Sequence, residues 1–290
     1  MFYSMQQYLK FVISLLLALL LATVVSSSAF ASALPAQAQF VGPKKFYLAL
    51  GDSLAFGYQP NGDYKHGYAA DFLSDLRHQH NGVLAGLNFS CPGENSQTFI
   101  TGICAPLQTL IETYPILKKL PPKFIPKQMD LAVGVLHLLA GQVSPVTLDI
   151  GANDVLNAMD TTSCTVNIPQ FQFDLLRLDT NLQLILPALH AALQVKGKKA
   201  GDLLVMNYYD PYQNRCPNLV SYTQEINALI ARDVAPYATL VDVFSAFGGA
   251  ETPNPNICSY TWICSTKSDI HASSAGYQAI ARAFEQAYGY

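Results

Sequence analysis

The sequence predicts an α/β fold, a parallel sheet of about five strands with helices on both faces. Two observations carry this expectation. Five short apolar runs, Phe46–Leu50, Val83–Phe89, Val146–Ile150, Leu203–Asn207 and Thr239–Val243, have the length and content of buried strands. Between them lie segments whose apolar residues recur at helical spacing. Tyr68–His80 carries Phe72, Leu73 and Leu76, and Phe171–Leu193 carries Leu175, Leu178, Leu182 and Leu186. Tyr222–Asp233 and Ser274–Tyr288 complete the set. Strands that alternate with helices form βαβ units, and their crossovers cover both faces of a parallel sheet.

Residues 1–38 stand apart from this pattern. Lys10 is followed by an almost unbroken apolar run from Phe11 to Val25, and then by the small-residue sites Ala29-Phe30-Ala31 and Ala31-Ser32-Ala33. That is the form of a secretory signal peptide, cleaved within 31–38. The apolar run is shorter than the roughly 20 residues a spanning helix needs, which disfavours a membrane anchor. No cysteine lies near the cleavage sites to carry a lipid. The expected product is one extracellular domain over 39–290 with no membrane span, acting as a monomer.

Composition narrows the partners. The chain has 290 residues, of which 50% are hydrophobic and 13% charged, with a net charge of -3. So little charge, without a basic run, argues against nucleic acid. Six cysteines, Cys91, Cys104, Cys164, Cys216, Cys258 and Cys264, suit a disulfide framework in an exported chain. Six cysteines allow 15 pairings. Short loops favour Cys91–Cys104 and Cys258–Cys264, which leaves Cys164–Cys216. No C-x-x-C occurs and no histidine sits at ligand spacing from a cysteine, so no metal or other cofactor is expected.

The chemistry sits at strand ends. The first strand runs into Gly51-Asp52-Ser53, placing a hydroxyl at the carboxyl end of the sheet, where open α/β sheets hold ligands. The second is followed by Pro92-Gly93-Glu94-Asn95, and the third by Gly151-Ala152-Asn153-Asp154. Near the other terminus, Ser268-Asp269-Ile270-His271 precedes the last helix. This ordered set resembles the GDSL esterases and lipases, the SGNH-hydrolase superfamily. The four residues that name the superfamily map onto Ser53, Gly93, Asn153 and His271. The resemblance spans about residues 45–288 and is closest to secreted, six-cysteine members of actinobacterial type. It implies a flavodoxin-like three-layer α/β/α fold, ester hydrolysis, and the disulfide pattern given above.

Each residue type has a physical reason to be there. A serine hydroxyl is a poor nucleophile at neutral pH and needs a base held in the correct tautomer. His271 is the candidate base. His78 and His80 end a helix, His137 and His190 sit on apolar helical faces, and His66 lies in the loop after Ser53. An oxyanion needs aimed donors, here the N–H groups of Ser53 and Gly93 and the Asn153 amide. Asp52 and Asp154 read as acceptors that fix loops. The family pattern puts the orienting aspartate three residues before the histidine, followed by proline. Here Ser268 occupies that position, Asp269 is two residues before His271, and Ala272 replaces the proline. Either Asp269 or a backbone carbonyl near Ser268 orients the imidazole.

An α/β-hydrolase is disfavoured because Gly51-Asp52-Ser53-Leu54-Ala55 lacks the second glycine of G-x-S-x-G. A non-catalytic binding module would not need all four residues. A carbohydrate deacetylase or a thioesterase would use the same four residues with a different pocket. The loops 54–67 and 105–145, the latter holding the irregular, proline-rich Pro115–Lys127, either shape that pocket or decorate the surface.

Overall fold

Five parallel strands form the central sheet, in the order β2-β1-β3-β8-β9. They are β1 Phe46–Gly51, β2 Ala85–Asn88, β3 Val143–Asp149, β8 Leu203–Met206 and β9 Thr239–Val241. The computed structural model describes residues 40–79, 85–102 and 127–289. The expected signal peptide over 1–38, His80, residues 83–84, Cys104 and residues 115–126 lie outside the described residues.

Helices flank the sheet to make three layers. In chain order they are α1 Ser53–Phe56, α2 Tyr68–Gln79, α3 Ser96–Thr101, α4 Gln128–Leu138, α5 Ala152–Val155, α6 Ile168–Ala192, α7 Val220–Val234, α8 Val243–Ala246, α9 Asn256–Tyr260 and α10 Ser274–Tyr288. Helix α2 packs on α10, while α6 packs on α3, α4 and α7. The core lies between these groups and the sheet. All seven residues of β3 and all four of β8 are buried; β8 is apolar throughout, while β3 also buries Ser144, Thr147 and Asp149, each of them hydrogen-bonded. Two small hairpins, β4 Met159–Asp160 with β5 Thr165–Val166 and β6 Gln194–Val195 with β7 Lys198–Lys199, decorate this frame.

The order of the five sheet strands reverses between β1 and β3. That is the topological switch point, where the loops at the carboxyl ends diverge and leave a crevice. The turns after β1 and β3 carry Ser53 and Asn153.

Two sequence expectations are corrected. The stretch 105–145 is not all loop, because it contains α4 and the start of β3. Gly134 and a nearly continuous apolar composition erase the amphipathic stripe of α4, so no helical period stands out. Pro145 breaks the β3 run, yet it is accommodated at a register shift against β1 between Phe46 and Leu48. The 54–67 loop likewise begins with α1. Asp52 accepts the Leu54 N–H at its start and Gly57, at φ 80, ends it.

Cys164–Cys216 and Cys258–Cys264 are bonded. Cys91 is also disulfide-bonded, and its expected partner Cys104 is not among the described residues. Among the described residues no helix is long and apolar enough to cross a membrane.

Candidate active site

The Gly51-Asp52-Ser53 turn is built from the core outward. Gly51 ends β1 at φ 133, and a Cβ there would lie 2.3 Å from the Asp149 carbonyl oxygen. Only glycine lets β1 and β3 approach this closely. Asp52 then caps α1 and leaves Ser53 as its first residue. Asp149, fully buried, accepts the Tyr68 hydroxyl at 2.6 Å and the Asp52 and Ala55 N–H groups at 3.3 Å each. Burial, reinforced by the neighbouring Asp52 charge, pushes the Asp149 carboxyl well above the usual carboxylate range. Asp52 is raised by burial as well.

His271 reaches this turn from the opposite end of the chain. Its Nε2 lies 2.8 Å from the Ser53 Oγ. Its Nδ1 lies 2.6 Å from the Asp269 Oδ1, which also accepts the His271 backbone N–H at 2.8 Å. An aspartate two residues away reaches the ring because Ser268 turns through φ 47. The Ser268 hydroxyl contacts the Ser265 carbonyl instead of the imidazole. The arrangement fits a ring whose Nδ1–H donates to Asp269 and whose Nε2 accepts from Ser53. The loop is tied at several points. The Trp262 N–H donates to the His271 carbonyl, Thr261 bridges Ala272, and the Tyr209 hydroxyl donates to the Ile270 carbonyl at 3.0 Å.

The model of the GDSL-like lipase/acylhydrolase family matches residues 49–279, an interval that opens just before Gly51 and closes past His271. The chain belongs to that family. The solved structures agree on the fold. A lipase, Lip_vut3, from a goat rumen metagenome is 17% identical with a TM-score of 0.53, covering 85% of this chain and 98% of its own. An extracellular lipase from Streptomyces rimosus is 17% identical with a TM-score of 0.51, covering 84% and 99%. The acetylxylan esterase Axe2 from Geobacillus stearothermophilus is 17% identical with a TM-score of 0.50, covering 87% and 97%. No curated protein sequence matches the chain significantly.

In this GDSL-family protein, Gly93 sits at φ 80 on an exposed turn, with open space where a Cβ would be. Among the described residues the N–H groups of Ser53 and Gly93 have no hydrogen-bond acceptor. The Asn153 amide donates to the Glu94 carbonyl at 2.8 Å and makes a longer contact of 3.3 Å to the Asp52 Oδ2. Asp154 accepts the Ser96 N–H at 2.8 Å and its hydroxyl at 2.6 Å, so the turn after β3 is locked to α3.

Ser53, Gly93, Asn153 and His271 all open into one cleft of about 250 Å³. Its remaining wall is largely apolar, from Val155, Leu156, Met159, Ile226, Pro211 and a run of tyrosines after β8. Sequence reasoning did not find this wall. Its residues come from α5, β4, α7 and the β8 loop, and no local pattern marks them as neighbours. Tyr58 was also missed, although it lies in the 54–67 loop; its ring centre is 4.5 Å from that of His271. Gln59, wholly buried, accepts from Trp262 Nε1 and from the Ser274 hydroxyl, each at 3.3 Å, tying the two sides of the cleft together. Among the described residues the other histidines stay out of the site. His66 is exposed and pairs with Asp63, His137 is exposed on α4, and His190 contacts the Tyr237 carbonyl. Among the described residues no cluster of His, Cys, Asp or Glu could hold a metal ion.

Proposed function

We infer that this protein is an exported serine ester hydrolase that cleaves carboxylic esters through an acyl-enzyme. The observation that carries the reading is the continuous chain Ser53 Oγ, His271 Nε2, His271 Nδ1, Asp269 Oδ1, with steps of 2.8 and 2.6 Å, opening into an apolar cleft. Ser53 attacks the ester carbonyl carbon while His271 Nε2 takes its proton. Asp269 holds the Nδ1–H and stabilises the imidazolium. The oxyanion receives the Ser53 and Gly93 N–H groups and the Asn153 amide. When the tetrahedral intermediate collapses, the carbon–oxygen bond to the alcohol breaks and His271 returns the proton to the leaving oxygen. Water repeats the sequence on the acyl-Ser53.

The apolar wall supports an ester with an apolar chain over an acetylated sugar, whose hydroxyls would go unpaired there. The leader at 1–38 and the disulfides support export. Ser53→Ala is expected to lower kcat on p-nitrophenyl esters by about four orders of magnitude or more, with an unchanged melting curve. Wild-type turnover in a folded Ser53→Ala variant rejects the assignment. A chain-length series of esters run beside acetylated xylan ranks the substrates.

A further inference from the structure

Three turns from three strand ends supply the reactive centre: Gly51-Asp52-Ser53, Pro92-Gly93-Glu94 and Gly151-Ala152-Asn153. Their donors must converge on one oxygen, and errors well under an ångström cost rate. Besides the Cys91 N–H, which donates to the Gly51 carbonyl at 2.9 Å, the first two turns are joined by a side chain from none of them. Gln128, the first residue of α4, is fully buried. Its Oε1 accepts the Gly51 N–H at 2.5 Å, and its Nε2 donates to the Gly51 carbonyl at 2.9 Å and to the Glu94 Oε2 at 3.0 Å. Both amide hydrogens and the amide oxygen are therefore committed.

Glu94 passes the constraint on. It is buried at 5% exposure, follows Gly93 directly, and accepts the Asn153 amide on its backbone carbonyl at 2.8 Å. One side of this residue is gripped by Gln128 and the other grips Asn153. With one Asn153 hydrogen fixed on Glu94, the second has only the long 3.3 Å contact to Asp52 to give up when an oxyanion forms. Neither Gln128 nor Glu94 lines the cleft. Gln128 shares α4 with buried Leu131, Ala132 and Val135, so an apolar residue would suit the local packing. A buried amide there is tolerable only because it is fully bonded.

We propose that Gln128 and Glu94 are positioning residues that set the spacing of the Gly93 N–H and the Asn153 amide relative to Ser53. The proposal rests on the ester-hydrolase reading above. Because the pair acts on donors that matter once charge develops on the oxygen, it affects the transition state more than ground-state binding.

The test uses the mature protein, p-nitrophenyl butyrate as substrate, and diethyl p-nitrophenyl phosphate as a probe that phosphorylates Ser53. Gln128→Leu is expected to lower kcat by about 10- to 100-fold, with KM within about twofold and the phosphorylation rate falling in parallel. Glu94→Ala should behave alike, since it removes the carboxylate and keeps the carbonyl. Glu94→Gln retains an acceptor for Gln128 and should stay within about threefold of wild type. The double variant Gln128→Leu/Glu94→Ala should be little worse than either single change, because one device is broken once. A folded Gln128→Leu protein with wild-type kcat overturns the proposal, as does equal loss in Glu94→Gln and Glu94→Ala. If Gln128→Leu does not fold, the two Glu94 variants decide by the same criterion. A wild-type protein that neither hydrolyses the ester nor reacts with the phosphate would reject the ester-hydrolase reading itself, a result separate from any variant's behaviour.

Discussion

The two sides of the cleft are built on opposite plans. The Ser53 side grows directly from the core. Gly51 and Asp52 are buried, and each oxygen of Asp52 and Asp149 accepts a hydrogen bond. The His271 side is a rim loop, with side-chain exposures of 18% for His271 and 22% for Asp269. It is held by a two-residue bridge, a few backbone bonds and the short Cys258–Cys264 loop. The contrast suits the proposed chemistry, in which Ser53 is a nucleophile fixed against its donors and His271 a base that exchanges protons with leaving group and water. Fixity comes from buried hydrogen bonds, and access comes from a loop that needs its own staples.

The largest effect on this comparison is expected from Asp269→Asn. Among the described residues the Asp269 carboxylate is the acceptor on His271 Nδ1, so Asp269→Asn is expected to leave the fold intact and lower kcat by about three to four orders of magnitude. A loss under about tenfold, measured at saturating ester, transfers the orienting role to a backbone carbonyl and leaves a Ser53–His271 dyad.

Next come the two disulfides whose cysteines are both among the described residues. Cys258–Cys264 closes a loop of sequence separation 6, and Cys164–Cys216 one of 52. On loop length alone, removing the first costs about 2 kcal/mol and the second about 4 kcal/mol. Activity should rank in the other sense for kcat. Replacing Cys258 and Cys264 by serine loosens the base and is expected to lower kcat about tenfold. Replacing Cys164 and Cys216 disturbs the segment after β8 that carries Tyr208–Tyr212, and should raise KM more than it lowers kcat. Equal kcat values in the two double variants would erase the distinction between rim and wall.

The smallest effect concerns Asp210, on the apolar wall between the two sides. It is 3% exposed and, unlike Asp52 and Asp149, leaves its Oδ2 without a hydrogen-bond partner. Burial pushes its carboxyl up to about 6, from 3.8. As pH rises between those values the unfolded chain loses this proton first, so folding stability declines across that window and stays lower above it. Asp210→Asn removes the titration. The variant is expected to be more stable than wild type by about 1–3 kcal/mol at pH 8 and equal to it near pH 4. Paired urea melts at the two pH values check this, and an unchanged difference between them rules it out.

Much of this molecule is determined by its sequence alone. The buried strand β8 announces itself because it is covered on both faces and is apolar throughout, whereas β3 mixes apolar residues with the buried polar Ser144, Thr147 and Asp149. Helix α10 is bounded at Ser274 and Tyr288 as its period implies, because Ser273 caps it and Gly289 ends it. Ser53, Gly93, Asn153 and His271 stand out in the sequence as turn residues at strand ends and before the last helix, and the fold brings all four to one cleft. The tertiary structure alone decided the rest. Whether Asp269 faces His271 depended on the left-handed turn at Ser268, a conformation its side chain does not announce. The bonds of Gln128 to Gly51 span 77 residues, and its bond to Glu94 spans 34. Contacts at such separations leave no periodicity behind, and a glutamine that bonds three groups across the core is written like one that faces water. The cleft wall is hidden for the same reason: an apolar side chain satisfies the core and a substrate equally well, and only the packing of α5 and α7 around the switch point leaves some of them facing the cleft.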